Sequence, residues 1–180
     1  MKKPARAFGR AAALATAALL VASFAGTASA SAATHSGAST RPLPASMTVY
    51  LGSDDSHSLD TGPAGSSDGD EFFRHGPVTK KVGGKTIGEY FLVAQIVRAD
   101  GAGKMEWREL TREFVLPGGT LLIGGIHTVP LGNQTPVIGQ VNHLPILGGT
   151  GIYRGVRGEQ ISTTLSTDPW AAKVEFLFTK

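Results

Sequence analysis

The sequence predicts an all-β domain, an antiparallel sandwich or barrel. Apolar and β-branched runs recur between glycine-containing turns along most of the chain. The 24 glycines suit many tight turns and strand bends. In the last run Ala172, Val174, Phe176 and Phe178 alternate with Lys173, Glu175 and Thr179, a period of two that belongs to a sheet with one apolar face.

The first segment is set apart from this pattern. Lys2, Lys3, Arg6 and Arg10 precede an alanine-rich apolar stretch from Ala11 to Ala25, and Ala28-Ser29-Ala30 supplies small residues for a signal peptidase. Residues 1–30 therefore read as a secretory signal, removed near Ala30 to leave a secreted protein. The apolar stretch is short and no second one follows, so no transmembrane anchor is expected. The Ser-, Ala-, Thr- and Pro-rich residues 31–45 read as a flexible arm, and residues 46–180 as the folded domain.

The strands follow in order. Ser46 to Leu51 comes first, with Met47, Val49 and Leu51 alternating with smaller or polar neighbours. Gly52 to Asp70 is rich in Asp, Ser and Gly, has no helical periodicity and reads as an extended loop. Phe72 and Phe73 start a short strand, Val78 to Val82 lead into the turn Gly83-Gly84-Lys85, and a long strand follows from Thr86 to Arg98. Further strands are expected at Met105 to Leu116, Leu121 to Val129, Gln140 to Leu147, Gly155 to Leu165 and Ala171 to Thr179. The strand from Met105 to Leu116 is the untidy one. Glu106, Arg108 and Arg112 share a face with Leu110 and Phe114, while Glu109 and Glu113 share the other with Trp107 and Val115. The expectation is solvated cross-strand ion pairs, the alternative a polar cavity lined by some of these charges.

Charge and composition remove several classes of function. The whole chain carries +3, with an isoelectric point near 9.3. Residues 1–30 hold four of the 17 Lys and Arg and none of the 14 Asp and Glu, leaving 13 basic against 14 acidic residues once the signal is gone. Such a domain has no electrostatic footprint for nucleic acid. There is no cysteine, so neither disulfides nor a thiol nucleophile are available. The five histidines show no metal-ligand spacing, and no metal site is expected. No phosphate loop or other cofactor signature is present. Gly149, Gly151 and Gly155 miss the dinucleotide fingerprint by one residue, and the segment after them suits a strand rather than a helix.

The most distinctive stretch is LPILGGTGIYRGVRGE, Leu144 to Glu159, with its turn Gly148-Gly149-Thr150-Gly151. It resembles the late glycine-rich motif of plant allene oxide cyclases and the corresponding stretch of dirigent proteins, which share a barrel superfamily. Gly69-Asp70-Glu71-Phe72, Gly84 to Gly88, Gly119 to Gly125 and Lys173 to Lys180 fall in the same order, so the resemblance spans about residues 46–180. It implies an eight-stranded antiparallel barrel, a homotrimer or homodimer, and a lumen that holds a small lipophilic ligand or substrate. It further implies an isomerase of the cyclase kind that works by positioning, with no cofactor; the alternatives are a non-catalytic carrier and a structural envelope protein with a plugged barrel. The Glu and Asn of the plant cyclases' first strand fall on Leu51 and Ser53, and their long-strand cysteine near Ala94, so plant-like epoxide chemistry lacks its residues here. Candidate catalytic residues are Arg157, Glu159 and, beside Asp55, Asp54. Candidate ligand-binding residues are Tyr50, Tyr90, Asn142 and Arg154. Of Asn142 and His143, adjacent in a strand, only one points inward.

Overall fold

A computed structural model describes residues 43–179 of the chain. The expected signal, residues 1–30, and most of the expected arm lie outside the described residues. Nine strands follow one another with one short 3-10 turn between the seventh and eighth: β1 Ser46–Leu51, β2 Asp55–Leu59, β3 Glu71–Thr79, β4 Thr86–Asp100, β5 Met105–Leu116, β6 Gly119–Pro130, β7 Val141–Gly149, the turn Gly151–Tyr153, β8 Arg157–Thr167 and β9 Trp170–Thr179. Each pairs antiparallel with its neighbours in the order β1-β9-β8-β7-β6-β5-β4-β3, and β1 also pairs with β3, which closes the barrel. Eight strands make the wall. This is the eight-stranded antiparallel barrel expected from the sequence motif.

The ninth strand is the main departure. Within the segment expected to be loop, Asp55 to Leu59 pair with His75 to Glu71 of β3. β1 meets the other end of β3, Tyr50 facing Thr79 and Leu51 facing Val78. β1 and β2 thus run along β3 as one bent strand, interrupted at Gly52 to Asp54. β1 has β9 on its second side, whereas β2 lies at the end of the sheet order with β3 as its strand partner. The barrel wall therefore loses a partner at this rim. A row of Asp and Ser residues hid the strand because its side chains are all exposed and carry no apolar alternation.

Elsewhere the local chemistry does what turns require. Asp100 Oδ1 accepts hydrogen bonds from the amides of Ala102 and Gly103, at 3.0 and 2.9 Å, and reverses the chain between β4 and β5. Pro117-Gly118 makes a two-residue turn between β5 and β6, with Leu116 paired to Gly119. Leu43 packs against the barrel core, and Ala45 accepts a hydrogen bond from the Phe178 amide. The last residues of the arm thus belong to the folded domain.

Closure of the sheet decides what each strand face meets. In β9 Trp170, Ala172, Val174 and Phe176 are buried inside, and Lys173 pairs with Glu175 outside at 2.9 Å. One end of the barrel is filled by aromatic rings. Phe114 meets Phe176 edge to face at 5.0 Å, Phe176 stacks with Phe178, and Tyr153 follows at 6.4 Å from Phe178. We call this end the floor. Among the described residues no helix is long and apolar enough to cross a membrane.

Candidate functional site

The Leu144–Glu159 motif builds the floor. Gly151 has φ of +59°, and a Cβ there would collide with the Gly118 carbonyl oxygen. The turn can therefore sit directly on the β5–β6 hairpin, where the Ile152 amide donates to Gly118 O at 2.9 Å. Thr150 and Thr120 join their hydroxyls at 2.9 Å, and the Thr120 amide donates to Thr150 Oγ1 at 3.0 Å. This docking swings Tyr153 and Val156 under the barrel, where both are buried. Gly148, Gly149, Thr150 and Gly151 are thus a closure device.

The opposite half of the lumen is polar. β5 turns Glu106, Arg108, Leu110, Arg112 and Phe114 inward, all of them buried. The expectation that these charges are solvated surface pairs is overturned, and the polar-cavity alternative holds. Alternation alone could not choose, because both faces of β5 carry charges. Glu109 and Glu113 are on the exposed face.

The lumen charges form two groups. In the first, Arg108 Nε donates to Glu106 Oε2 at 2.8 Å, and its Nη1 and Nη2 donate to the carbonyl oxygens of Gln134 and Asn133. Glu106 Oε1 accepts from the Gly132 amide at 2.8 Å. The pair is enclosed and its hydrogen bonds are satisfied by the β6–β7 loop, with Phe72 lying 3.6 Å from the guanidinium centre. It anchors that loop across one end of the lumen.

The second group is Arg74 of β3 and Arg112 of β5. Arg112 is 5% exposed, and its Nη1 donates to Gln160 Oε1 at 3.1 Å. Among the described residues no carboxylate lies within ion-pair distance of Arg74 or Arg112. Burial lowers the Arg112 pKa to about 10, and Arg74 nearby adds to the effect. The Arg74 pKa is also lowered, chiefly by burial. Arg74 sits 4.5 Å from the Trp170 ring centre, Trp170 and Tyr90 rings are 6.1 Å apart, and Arg112 lies 6.0 Å from Tyr90. Tyr90 is fully buried, and its phenol pKa is pushed up to about 12 by that burial, against the pull of both arginines. His127 of β6 is held neutral, its pKa lowered to about 3 by burial first and by Arg112 and Arg108 next.

Between these groups lies a cavity of about 50 Å³, lined by Arg74, Arg108, Arg112, His127, Asn142 and Trp170 among others. By the measure of one water per ~15 Å³ it has room for about three waters. Ser56, His57 and Ser58 of β2 and Gln134 and Pro136 of the β6–β7 loop also line it, on the side away from the floor. His57 stacks on Phe73 at 4.8 Å there. A small polar or charged end of a ligand fits the cavity, and the rest of such a ligand extends past β2.

The residues singled out from sequence are dispersed by the fold. Tyr90 and Asn142 are in the lumen, Asn142 on the cavity wall and Tyr90 buried between Trp170 and Phe114. His143 points out, as the alternation requires. Arg157 is exposed at the start of β8, and Glu159 bonds His143 at 2.7 Å on the outer face. Neither lines the cavity, because Gly158 and Gln160 take the inward positions. Arg154 is exposed beside the floor, near Leu43 and Phe178. Tyr50 and Asp54 line an outer cleft with Pro77 and Thr79. Arg74, His127, Gln160 and Trp170 were not candidates from sequence, and Glu106, Arg108 and Arg112 entered only through the polar-cavity alternative for β5. The one available signal was the charged face that β5 shares with Leu110 and Phe114. Among the described residues no three His, Cys, Asp or Glu side chains gather as a metal site.

No protein-family model matches the chain, and no curated protein does. Solved structures match it well. A pyocyanin demethylase superposes with a TM-score of 0.61 at 21% identity, over 74% of this chain and 99% of the other. The chain shares the barrel fold of these structures. The Diels Alderase AbmU from Streptomyces koyangensis gives 0.59 at 15% identity, covering 75% of this chain and 64% of its own. A pterocarpan synthase dirigent protein gives 0.52 at 18%, covering 73% and 90%. At such identities the likeness concerns the fold, and the lumen residues must speak for the chemistry.

Proposed function

We propose that this chain is an exported barrel enzyme of the isomerase class, which closes a ring in a small lipophilic substrate held at the upper lumen. One observation carries this reading: the lumen is sealed by aromatic rings at one end and lined by polarising donors at the other. Several solved barrels of this fold are described as cyclases, Diels-Alderases or dirigent proteins, which agrees with it. The alanine-rich leader with its basic start and small-residue cleavage site supports export. Exposed Phe91, Val93, Leu122 and Ile126 on the outer wall support self-association of the barrel.

The chemistry asks little of acid or base groups. Ring closure within one molecule moves an electron pair into the new bond, and product and substrate have the same formula. A carbonyl conjugated with the reacting system gains negative charge as the bond forms. Fixed donors in a water-poor site stabilise that charge, and Arg74 and Arg112 are such donors. The cavity fixes the polar end of the substrate and so restricts how its body can fold where it leaves past β2, which sets the stereochemistry by positioning. His127, neutral and weakly basic, is suited to accept a hydrogen bond rather than to take a proton.

The test is incubation of the purified chain with linear trienones and diene–enone compounds, followed by chiral chromatography with mass detection. The reading expects a product of unchanged mass with one stereoisomer in excess, suppressed by a cavity-filling Ala94→Phe. Recovery of unchanged compound from a tight complex would establish a carrier instead.

A further inference from the structure

The upper lumen holds more hydrogen-bond donors than acceptors. Among the described residues Arg74 Nε, Arg112 Nε, Gln160 Nε2 and Trp170 Nε1 are buried without a partner, as are the Tyr90 hydroxyl and His127 Nε2. The first four are obligate donors. Native interiors leave few such groups unmatched, and each costs stability when it stays so. Here they are consecutive neighbours: Arg74 over Trp170, Trp170 beside Tyr90, Tyr90 near Arg112, and Arg112 bonded to Gln160. They come from five strands, β3, β4, β5, β8 and β9, so closure of the barrel assembles the cluster. Its charge is equally unbalanced. Glu106 is satisfied by Arg108 and the Gly132 amide, leaving two guanidinium groups without a counter-charge among the described residues.

We propose that the upper lumen is a carboxylate receptor: Arg74 and Arg112, backed by Gln160, Trp170 and Tyr90, take the carboxylate of a ligand whose apolar body lies past β2. This rests on the reading above that the lumen is the ligand site, and it names the class of ligand. Two guanidinium groups converging on one cavity match the acceptors of a carboxylate better than those of a neutral carbonyl. The cavity admits a carboxylate and little more. Phe72, Pro136 and Leu144 of the cavity wall offer apolar contacts to the body of the ligand. Arg108 takes no part, since its donors are already engaged.

The decisive comparison uses two probes with one body, sorbate and methyl sorbate, titrated calorimetrically into the full chain at neutral pH. Sorbate is expected to bind at least about tenfold more tightly than the ester, a difference of about 1.4 kcal/mol. Arg112→Met should abolish that preference while raising the melting temperature of the free protein, which a merely structural arginine would not do. Arg74→Met, at the less buried end of the cluster, should also abolish it and serves if the Arg112 variant fails to fold. Equal affinity for acid and ester would overturn the carboxylate proposal and leave the lumen as a ligand site. Binding of neither probe would overturn both.

Discussion

Two pairs of charged groups line the same lumen and obey opposite rules. Glu106 and Arg108 lie against the β6–β7 loop, bonded to each other and to its carbonyl and amide groups. Arg74 and Arg112 lie on the same cavity and, among the described residues, have no counter-charge and leave donors unused. The first pair is architecture: it holds a loop across the barrel end. The second is a cost carried by the fold, and the carboxylate proposal assigns that cost to ligand binding. Burial by itself does not distinguish the two pairs; hydrogen-bond satisfaction does.

The contrast is breakable, most forcefully at the satisfied pair. Glu106→Gln leaves Arg108 buried without its charge partner and weakens the tie to Gly132. Urea unfolding should show a loss of about 3 to 5 kcal/mol. A loss below 1 kcal/mol would mean that the pair is not the anchor described here.

The opposite sign is expected at the unsatisfied pair. A lowering of the Arg112 pKa from 12.5 to about 10 corresponds to about 3 kcal/mol of unfavourable burial of the charge. Replacing it by methionine, of similar volume, removes that charge from the interior. Arg112→Met should raise the stability of the free protein by about 1 to 2 kcal/mol, read by the same unfolding curves. If Arg112→Met destabilises as Glu106→Gln does, the distinction between the two pairs fails.

His127 sharpens the comparison through pH. Its folded pKa lies below the unfolded value of 6.5, near 3. Between those values the unfolded chain binds a proton that the folded one does not. Stability is therefore present above about pH 6.5 and is lost as pH falls toward 3. Tested by thermal melts, His127→Gln should flatten that acid limb by about 2 kcal/mol, a figure discounted because the ring is partly exposed. In Arg112→Met the limb should become shallower and end at a higher pH, since removing one of the charges that oppose protonation raises the folded pKa toward the unfolded value. An unchanged limb in both variants would show that His127 does not feel the arginine cluster.

The smallest effects are expected outside the barrel. Arg157→Ala and Glu159→Gln touch an exposed start of β8 and a surface contact with His143, and each should change stability by under about 1 kcal/mol. Sorbate titration should be unaffected by either. Loss of binding in Arg157→Ala would return the site to the motif and away from the Arg74–Arg112 cluster.

Much of the fold was legible in the chain because the relevant forces are local. Strand β1 and strand β5 were read to the residue, and the strands from β6 to β9 to within about two at each end, from alternation and glycine turns. β2 was not legible, since a strand exposed on every residue has no apolar period. The site was less legible still. Tyr90 and Asn142 lie in the lumen and Arg154, Arg157 and Glu159 outside it, in a motif whose glycines have a steric role. Its glycines let two turns touch at the floor, and that requirement is unrelated to ligand chemistry.

By itself, the sequence determined the alternation of each strand, the turns that join them, and the segregation of an alanine-rich basic leader from a near-neutral domain. Only the tertiary structure decided that Glu106, Arg108 and Arg112 face inward, and that Arg74 of one strand, Gln160 of another and Trp170 of a third converge on one cavity. The physical reason is that a period of two divides residues between two faces without saying which is enclosed. On β5, where both faces carry charge, that choice fell to closure of the sheet, which brings strands distant in sequence around a common axis.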